Sequence, residues 1–260
     1  MLRWLQRGGA GRYRPAACPR LYRAERLDAP DLDPALLQRN LEDLARLNAW
    51  CGGTTLVARH VMPVVRAAGR GACLTLADIG TGGADIPLTL QRRARRLSIR
   101  LRLLLCDLRR EVLNCARART GQEQDIALLR SDGLRLPLAD RSIDLVTCSL
   151  VLHHLEESQA ARLLSELARV ARRRVVVTDL ERGLAAWLGT WLAVHVLGQS
   201  AYTRHDAPLS VQRAFTLTEL ADLARAAGLE QARISRAPFF RLALVYDVAR
   251  PDSAGGEAGP

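Results

Sequence analysis

The feature that most constrains the fold of this chain is a series of short, continuous apolar runs that alternate with helical stretches. Five such runs follow one another, at residues 74–79, 101–106, 126–129, 143–148 and 174–178. Segments with helical patterns separate them, for example 109–119 and 157–171. Continuous apolar strands that alternate with helices are typical of βαβ units, in which helices cover both faces of a parallel sheet. The sequence therefore predicts a doubly wound α/β fold.

The last third of the chain predicts a helical insertion and then an antiparallel end to the sheet. An apolar helix is expected over 184–197, a polar loop over 198–214, and a helix over 216–227 that begins with a capping box of Thr216 and Glu219. Two further candidate strands lie at 231–235 and 241–248. The chain between Ala227 and Arg241 is too short for a crossover helix, so an antiparallel hairpin is expected.

The pattern divides the chain into four parts. Residues 1–30 are rich in Arg, Gly and Pro and are interpreted as an irregular basic segment. Residues 31–70 are predicted to form a helical segment that covers the domain. Asp31 or Asp33 can serve as the N-cap of its first helix, and Pro34 suits the first turn. Residues 71–250 form the α/β domain, with a lid at about 183–215 after the fifth strand. Residues 251–260 are expected to be a disordered tail.

Charge and cysteines limit the partners. All 38 basic residues are arginines and the net charge is +11, but the densest arginine runs, 92–96 and 172–174, fall where helices should end. A nucleic acid or an anionic membrane is an alternative that the charge leaves open, and neither is favoured.

None of the six cysteines forms a C-x-x-C pair, so no metal site is expected. With no apolar signal and no apolar stretch long enough for a transmembrane segment, the sequence predicts a cytoplasmic protein.

A glycine-rich turn follows the first predicted strand. Gly80 and Gly82 allow a backbone to approach a ligand closely, and parallel sheets bind ligands beyond the carboxyl ends of their strands. A dinucleotide fingerprint would need glycine at position 85, where this chain has Asp85, and a carboxylate is unfavourable beside a pyrophosphate. A P-loop is excluded because no G-K-[ST] follows.

The segment Asp78-Ile-Gly-Thr-Gly-Gly-Ala84 resembles the first motif, D-x-G-x-G-x-G, of class I S-adenosylmethionine (SAM)-dependent methyltransferases, with Ala84 in place of the third glycine. SAM carries a sulfonium, an ammonium and no phosphate, so Asp78 and Asp85 are compatible with it. The resemblance implies SAM as the cofactor. It also implies a Rossmann-like sheet of seven strands, mostly parallel, with the last strand antiparallel.

Two acidic residues later in the chain also fit this resemblance. Asp107 ends the second run and can accept both ribose hydroxyls, or simply cap the next helix. After the third run, the resemblance implies that Asp132 accepts the adenine amino group, although Ser-Asp-Gly is also an ordinary turn. The complete set of predicted cofactor-binding residues is Asp78, Gly80, Thr81, Gly82, Asp85, Asp107, Leu108, Ser131, Asp132, Gly133 and Ser149.

Histidines supply the catalytic candidates. The segment after the fourth run, with His153 and His154, lacks the Asn/Asp-Pro-Pro-Tyr of enzymes that methylate nucleobase amines and resembles quinone-biosynthesis-type methyltransferases. Either imidazole can act as a general base, or can merely pack beneath the cofactor. His205 is a third candidate that Asp206 could orient, although adjacent residues seldom point at each other. The predicted substrate contacts in the same segment are Tyr202, Arg204, Asp206 and Arg213; a solvated loop is the alternative.

Several blocks, including residues 39–48 and 203–216, resemble a bacterial family of small-molecule methyltransferases found beside polyketide-biosynthesis enzymes. The resemblance predicts methyl transfer to an oxygen or carbon of a small, hydrophobic, hydroxylated acceptor of the quinone, polyketide or lipid type, with biosynthetic enzymes as candidate partners. Two alternatives stay open: an RNA methyltransferase that uses the basic surface, and a non-catalytic SAM-fold partner of another enzyme. The sequence does not specify the acceptor atom or the oligomeric state.

Overall fold

The computed structural model describes residues 19–23, 25–26, 33–121, 123, 125–197 and 201–249. The expectations for residues 1–18, for Asp31 and for the tail at 251–260 lie outside these residues. The described chain forms eight helices, α1 (Pro34–Trp50), α2 (Gly53–Ala67), α3 (Asp85–Arg96), α4 (Arg110–Thr120), α5 (Glu157–Val170), α6 (Leu184–Leu197), α7 (Ala201–Arg213) and α8 (Leu217–Ala226). It also forms seven strands, β1 (Cys73–Ile79), β2 (Arg100–Asp107), β3 (Ile126–Arg130), β4 (Ile143–Ser149), β5 (Ala171–Leu180), β6 (Arg233–Ala237) and β7 (Arg241–Asp247).

The strands form one sheet in the order β3-β2-β1-β4-β5-β7-β6. The pairs among β1 to β5 are parallel, and β7 is antiparallel to both β5 and β6. This confirms the predicted seven-stranded α/β sheet and the antiparallel hairpin at its end. Strand order reverses between β1 and β4, so their carboxyl ends open the crevice in which such sheets bind ligands.

Both faces of the sheet are covered by apolar side chains. One face packs on α5 and α8, where Leu163 and Leu167 are almost fully buried. The other packs on α2 and α3 through Val61 and Leu90. The apolar runs are continuous because the inner strands are buried on both sides.

The prediction of a polar loop over 198–214 is wrong, because residues 201–213 form helix α7. Thr203, Asp206, Ser210 and Arg213 are buried at helical spacing and find polar partners. The sequence did not predict this helix because its buried face is polar, so the residues show no apolar stripe at helical spacing. Helix α7 packs against α6 and α1, so the insertion after β5 is a helical pair.

Other local predictions are confirmed at their caps. Asp33 caps α1 by accepting from Ala35 N at 2.8 Å, and Thr216 and Glu219 form the capping box of α8. Among the described residues, no helix has both the length and the apolar character needed to cross a membrane.

Candidate functional site

A cavity of about 350 Å³ lies at the carboxyl ends of β1, β2, β3 and β4. The structure brings together at this cavity every residue that the sequence nominates for the cofactor, namely Asp78, Gly80, Thr81, Gly82, Asp85, Asp107, Leu108, Ser131, Asp132, Gly133 and Ser149. Helix α1 adds Leu37, Leu41 and Asn48 to the wall. The cavity therefore lies at the reversal of strand order and is partly covered by helix α1.

The glycine turn is shaped by close packing and by left-handed backbone. Gly80 has φ +71°, and a Cβ there would lie 2.3 Å from Val151 Cγ2, so only glycine fits. Gly80 N and Thr81 N donate to Cys106 O at 2.9 and 3.0 Å, which fixes the turn on β2. Ala84, at the third glycine position, has φ +59°. An L-residue there carries a strain of about 1–2 kcal/mol.

Three carboxyl groups make the cavity favourable for a cation. Burial raises the pKa of Asp78 to about 7, although hydroxyls of Thr147 and Thr81 favour its ionised form. Burial also raises the pKa of Asp85 and of Asp107 above the usual range. The Asp107 carboxylate accepts from Gly82 N at 3.3 Å and from Arg109 N at 3.0 Å, which holds it at the cavity wall. A positively charged ligand would favour the ionised form of all three groups.

A second cavity of about 210 Å³ adjoins the first and shares Leu44, Asn48, Leu150 and His154 with it. Most of its remaining wall is apolar and comes from α1, α6, α7 and the β6–β7 turn. Its polar side chains are Glu25, Asn40, His153, Thr190, Thr203, Asp206, Ser210 and Arg241. The arrangement suits a small, largely apolar molecule placed next to the occupant of the first cavity.

A buried histidine–carboxylate pair lies at this second cavity. His153 Nδ1 lies 2.6 Å from Asp179 Oδ1, and the His153 backbone N donates to Asp179 Oδ2 at 3.1 Å. Burial alone would raise the pKa of Asp179, but His153 outweighs it and brings that pKa below its usual range. An ionised Asp179 can only accept, so Nδ1 donates to it and Nε2 is the ring nitrogen left to face the cavity side of the pair. Nε2 lies 3.8 Å from Glu25 Oε1.

Comparison with known proteins identifies the central segment. Residues 77–177 match a family model described as a methyltransferase domain. The central segment is therefore similar to a methyltransferase domain. A comparison with curated proteins finds no match to the sequence.

Solved structures share the methyltransferase fold. A SAM-dependent methyltransferase from Aquifex aeolicus is 18% identical with a TM-score of 0.56, over 84% of this chain and 100% of that chain. Human N-acetylserotonin methyltransferase in complex with SAM is 16% identical with a TM-score of 0.60, over 84% of this chain and 57% of that one. The CurJ carbon methyltransferase is 13% identical with a TM-score of 0.61, over 84% and 62%. At these identities the likeness concerns the fold.

The first cavity fits SAM, the cofactor that the sequence motifs indicate. SAM carries a sulfonium and an ammonium, and the wall presents the buried carboxyls of Asp78, Asp85 and Asp107. Buried carboxyls would oppose a pyrophosphate, so the electrostatics favour SAM over a dinucleotide. Asn48 links α1 to this wall by donating to Asp85 Oδ2 at 3.2 Å.

The three histidine candidates are placed differently. His153 lines the second cavity only, and His154 lines both. Their rings are tilted, with centroids 4.2 Å apart. His205 lies on α7 with Nδ1 2.7 Å from Asp206 Oδ1, so these neighbours do point at each other, contrary to expectation. Asp206 lines the second cavity, whereas His205 is absent from the described lining residues.

The four predicted substrate contacts are only partly brought together. Asp206 reaches the second cavity. Arg213 is buried and donates to the carbonyl oxygens of His153 at 3.2 Å and His154 at 3.1 Å, so it braces the turn that carries the histidines. Tyr202 is half-buried and Arg204 is exposed, and the described wall of the cavity includes neither.

Sequence reasoning missed several polar residues of the two cavities, among them Asn48, Glu25 and Arg241, and it also missed Asp179, the partner of His153. Asp179 lies at the end of β5, and the reasoning that selected Asp107 at the end of β2 would also have selected it. Asn48 and Glu25 precede the α/β domain, and Arg241 begins β7. No local pattern marks these three, because the tertiary fold alone brings them to the site.

Proposed function

We propose that this methyltransferase acts on an oxygen or carbon atom of a small, hydrophobic, hydroxylated molecule of the quinone, polyketide or lipid type. The supporting observation is the mostly apolar cavity of about 210 Å³ that adjoins the cofactor cavity and is lined by His153, the partner of Asp179. A carbon methyltransferase and N-acetylserotonin methyltransferase share the fold, which is consistent with a small acceptor.

In this proposal, the cofactor cavity binds SAM along the carboxyl ends of four strands. Asp107 accepts the ribose hydroxyls, and Asp132 accepts the adenine amino group from the loop after β3. Asp132 Oδ1 accepts from Leu134 N at 2.9 Å, which fixes the carboxylate. A Cβ at Gly133 would lie 3.0 Å from both Ile79 and Leu163, so glycine leaves room for the turn to pack beneath a flat ring. Bound SAM supplies an activated methyl group on its sulfonium.

In this proposal His153 removes the proton from the hydroxyl of the methyl acceptor. With Nδ1 held by Asp179, His153 Nε2 can take a proton from an acceptor hydroxyl as the nucleophile develops. Asp179, and Glu25 at 3.8 Å, would then stabilise the imidazolium. His154 lies between the two cavities and would help to orient the acceptor. The walls contribute mainly by orientation.

The test uses SAM with a labelled methyl group and two acceptor pools from the source cells, a small-molecule extract and total RNA. We expect label in the small-molecule fraction. Asp179→Asn should lower kcat by about 100-fold or more, since the tautomer and the imidazolium both depend on Asp179. Binding of S-adenosylhomocysteine, the product of SAM, should stay unchanged.

His60→Ala is the matched control, because His60 lies on α2 beyond the described walls of both cavities. It should leave kcat within about twofold. Label that appears only in RNA would support the RNA alternative and contradict this proposal. Absence of label from both pools, with SAM still bound, would support a non-catalytic partner.

A further inference from the structure

The second cavity, which we call the acceptor cavity, is lined by a buried cation, Arg241, that the proposed reaction does not use. Arg241 begins β7, opposite Leu180 of β5 and Ala237 of β6, and follows the Phe239–Phe240 turn. Its side chain lines the second cavity and is absent from the described wall of the first. Only 5% of the residue is exposed, so its charge has little contact with bulk water.

The guanidinium of Arg241 is poorly partnered within the described protein. It has five N–H donors, yet it makes one hydrogen bond, from NH2 to Asn48 Oδ1 at 3.3 Å. Its buried Nε has no partner among the described residues. No described carboxylate lies within 4.0 Å of it, and its nearby acids are engaged elsewhere, Asp179 with His153 and Asp85 with Asn48.

Two other buried arginines show how this protein normally satisfies such a group. Arg182 donates to Ala214 O and to the Glu219 carboxylate, each at 2.6 Å. Arg213 donates to several backbone carbonyls. Arg241 differs from both, and burial lowers its pKa despite attraction from Cys51, Asp179 and Asp85. A buried cation without a charged partner is strongly unfavourable, so a ligand that supplies a carboxylate would bind with a large gain.

We propose that Arg241 binds a carboxylate of the methyl acceptor, so that the acceptor is a small, apolar hydroxy acid. A planar guanidinium matches a carboxylate with two parallel hydrogen bonds, and pairing is strongest in a dry cavity. The hydroxyl would face Nε2 of His153. This inference rests on the proposed function and adds the chemical class of the substrate.

SAM itself carries a carboxylate, which is the competing source of the same chemistry. Asn48 lines both cavities, but Arg241 lines only the second. The acceptor is therefore the source that the geometry favours. Binding experiments can separate the two, because S-adenosylhomocysteine retains the cofactor carboxylate.

The experiment compares two probes of nearly equal size, salicylate and its neutral amide salicylamide. Their binding to the full chain saturated with S-adenosylhomocysteine is measured by calorimetry. We expect salicylate to bind about 10- to 100-fold more tightly, as a charge-assisted pair implies. Arg241→Gln should abolish this preference, and Arg241→Lys should reduce it, because lysine keeps the charge without the planar pair of donors. Arg236→Gln, at an exposed arginine paired with Glu181, is the control and should keep the preference.

Equal affinity of the two probes for the unmodified protein would overturn the proposal, as would a preference that survives Arg241→Gln. A loss of S-adenosylhomocysteine affinity in Arg241→Gln, with the salicylate preference retained, would assign Arg241 to the cofactor. If Arg241→Gln does not fold, Arg241→Lys decides by the same comparison. These measurements need no turnover, so a failure of the proposed methyl transfer would leave the salicylate preference intact.

Discussion

Asp78 is buried at the floor of the SAM cavity, where burial raises its pKa to about 7. Near pH 7 it is therefore partly protonated before the cofactor binds. SAM brings two positive charges, which favour the ionised carboxylate and lower its pKa. We predict that SAM binding at pH 7 releases protons. Calorimetry in buffers of different ionisation enthalpy measures the release, and Asp78→Asn should abolish most of it. A binding enthalpy independent of the buffer would contradict the prediction.

The same group makes the stability of the ligand-free protein depend on pH. The pKa of Asp78 is higher in the folded protein than in the unfolded chain, so folding favours the protonated form. Its contribution is fully present below about pH 4 and is lost as pH rises through about 7. Over that window we expect up to about 4 kcal/mol of the free energy of unfolding to be lost. Urea unfolding of Asp78→Asn, which keeps a side chain for Thr147 to donate to, should show a smaller loss.

Asp107 offers a test of the ribose assignment. Replacement by Ala removes a carboxylate that would accept charge-assisted hydrogen bonds, and it also frees the Gly82 N–H. We predict a fall in S-adenosylhomocysteine affinity of about 10- to 100-fold. Asp140→Ala changes an exposed acid far along the chain and should leave the affinity unchanged. An Asp107→Ala protein that binds with full affinity would remove Asp107 from the ribose site.

At the scale of elements, helix α7 is joined to α1 by a buried polar network. Asn40 Nδ2 donates to Thr203 Oγ1 at 3.1 Å, and Thr203 Oγ1 donates to Asp43 Oδ2 at 2.8 Å. Thr203→Val keeps the shape but leaves both partners with an unmade hydrogen bond. We predict a loss of about 2–4 kcal/mol in the free energy of unfolding. Thr218→Val, at an exposed residue of α8, should change it by less than about 0.5 kcal/mol. Equal effects in the two variants would contradict the role of the network.

The sequence predicts the sheet well because strands that are buried on both faces appear in the sequence as short continuous apolar runs. The glycine turn and the acids at strand ends place the cofactor cavity for the same reason. Helix α7 escapes prediction because its buried side chains are polar and satisfied by residues distant in sequence. Arg241 and Asn48 escape because their meeting depends on packing between β7 and α1.

At the scale of the whole molecule, the arginines that give the net charge of +11 are spread along the sequence rather than gathered in one block. Arg169 ties the end of α5 to Glu166, Asp140 and two loop carbonyls. Arg173 and Arg174 pair with Asp144 and Asp247 across the sheet. Arginines of this kind act as structural braces, so the charge alone does not indicate a nucleic-acid partner.

The described residues before α1, 19–23 and 25–26, contact helix α7 and the wall of the second cavity. Arg20 donates to Arg213 O and Leu155 O, both at 2.6 Å, and Glu25 Oε1 accepts from Ser210 at 2.7 Å. These contacts fix α7 and place Glu25 in the wall of the acceptor cavity, whereas the described wall of the SAM cavity begins at Leu37. Removal of residues 1–26 should therefore leave S-adenosylhomocysteine affinity within about threefold and abolish methyl transfer.

The truncated chain separates a role in the acceptor cavity from a general role in folding. If the segment only stabilised the fold, cofactor affinity and methyl transfer would decline together as the folded fraction fell. The double variant Arg20→Ala/Glu25→Ala retains the full length and removes the side-chain contacts of both residues, so it should reproduce the selective loss of methyl transfer. Limited proteolysis should then cleave the α6–α7 region faster in both variants, because local opening follows the loss of packed contacts and hydrogen bonds. Unchanged cleavage there would show that the segment does not hold α7 in place.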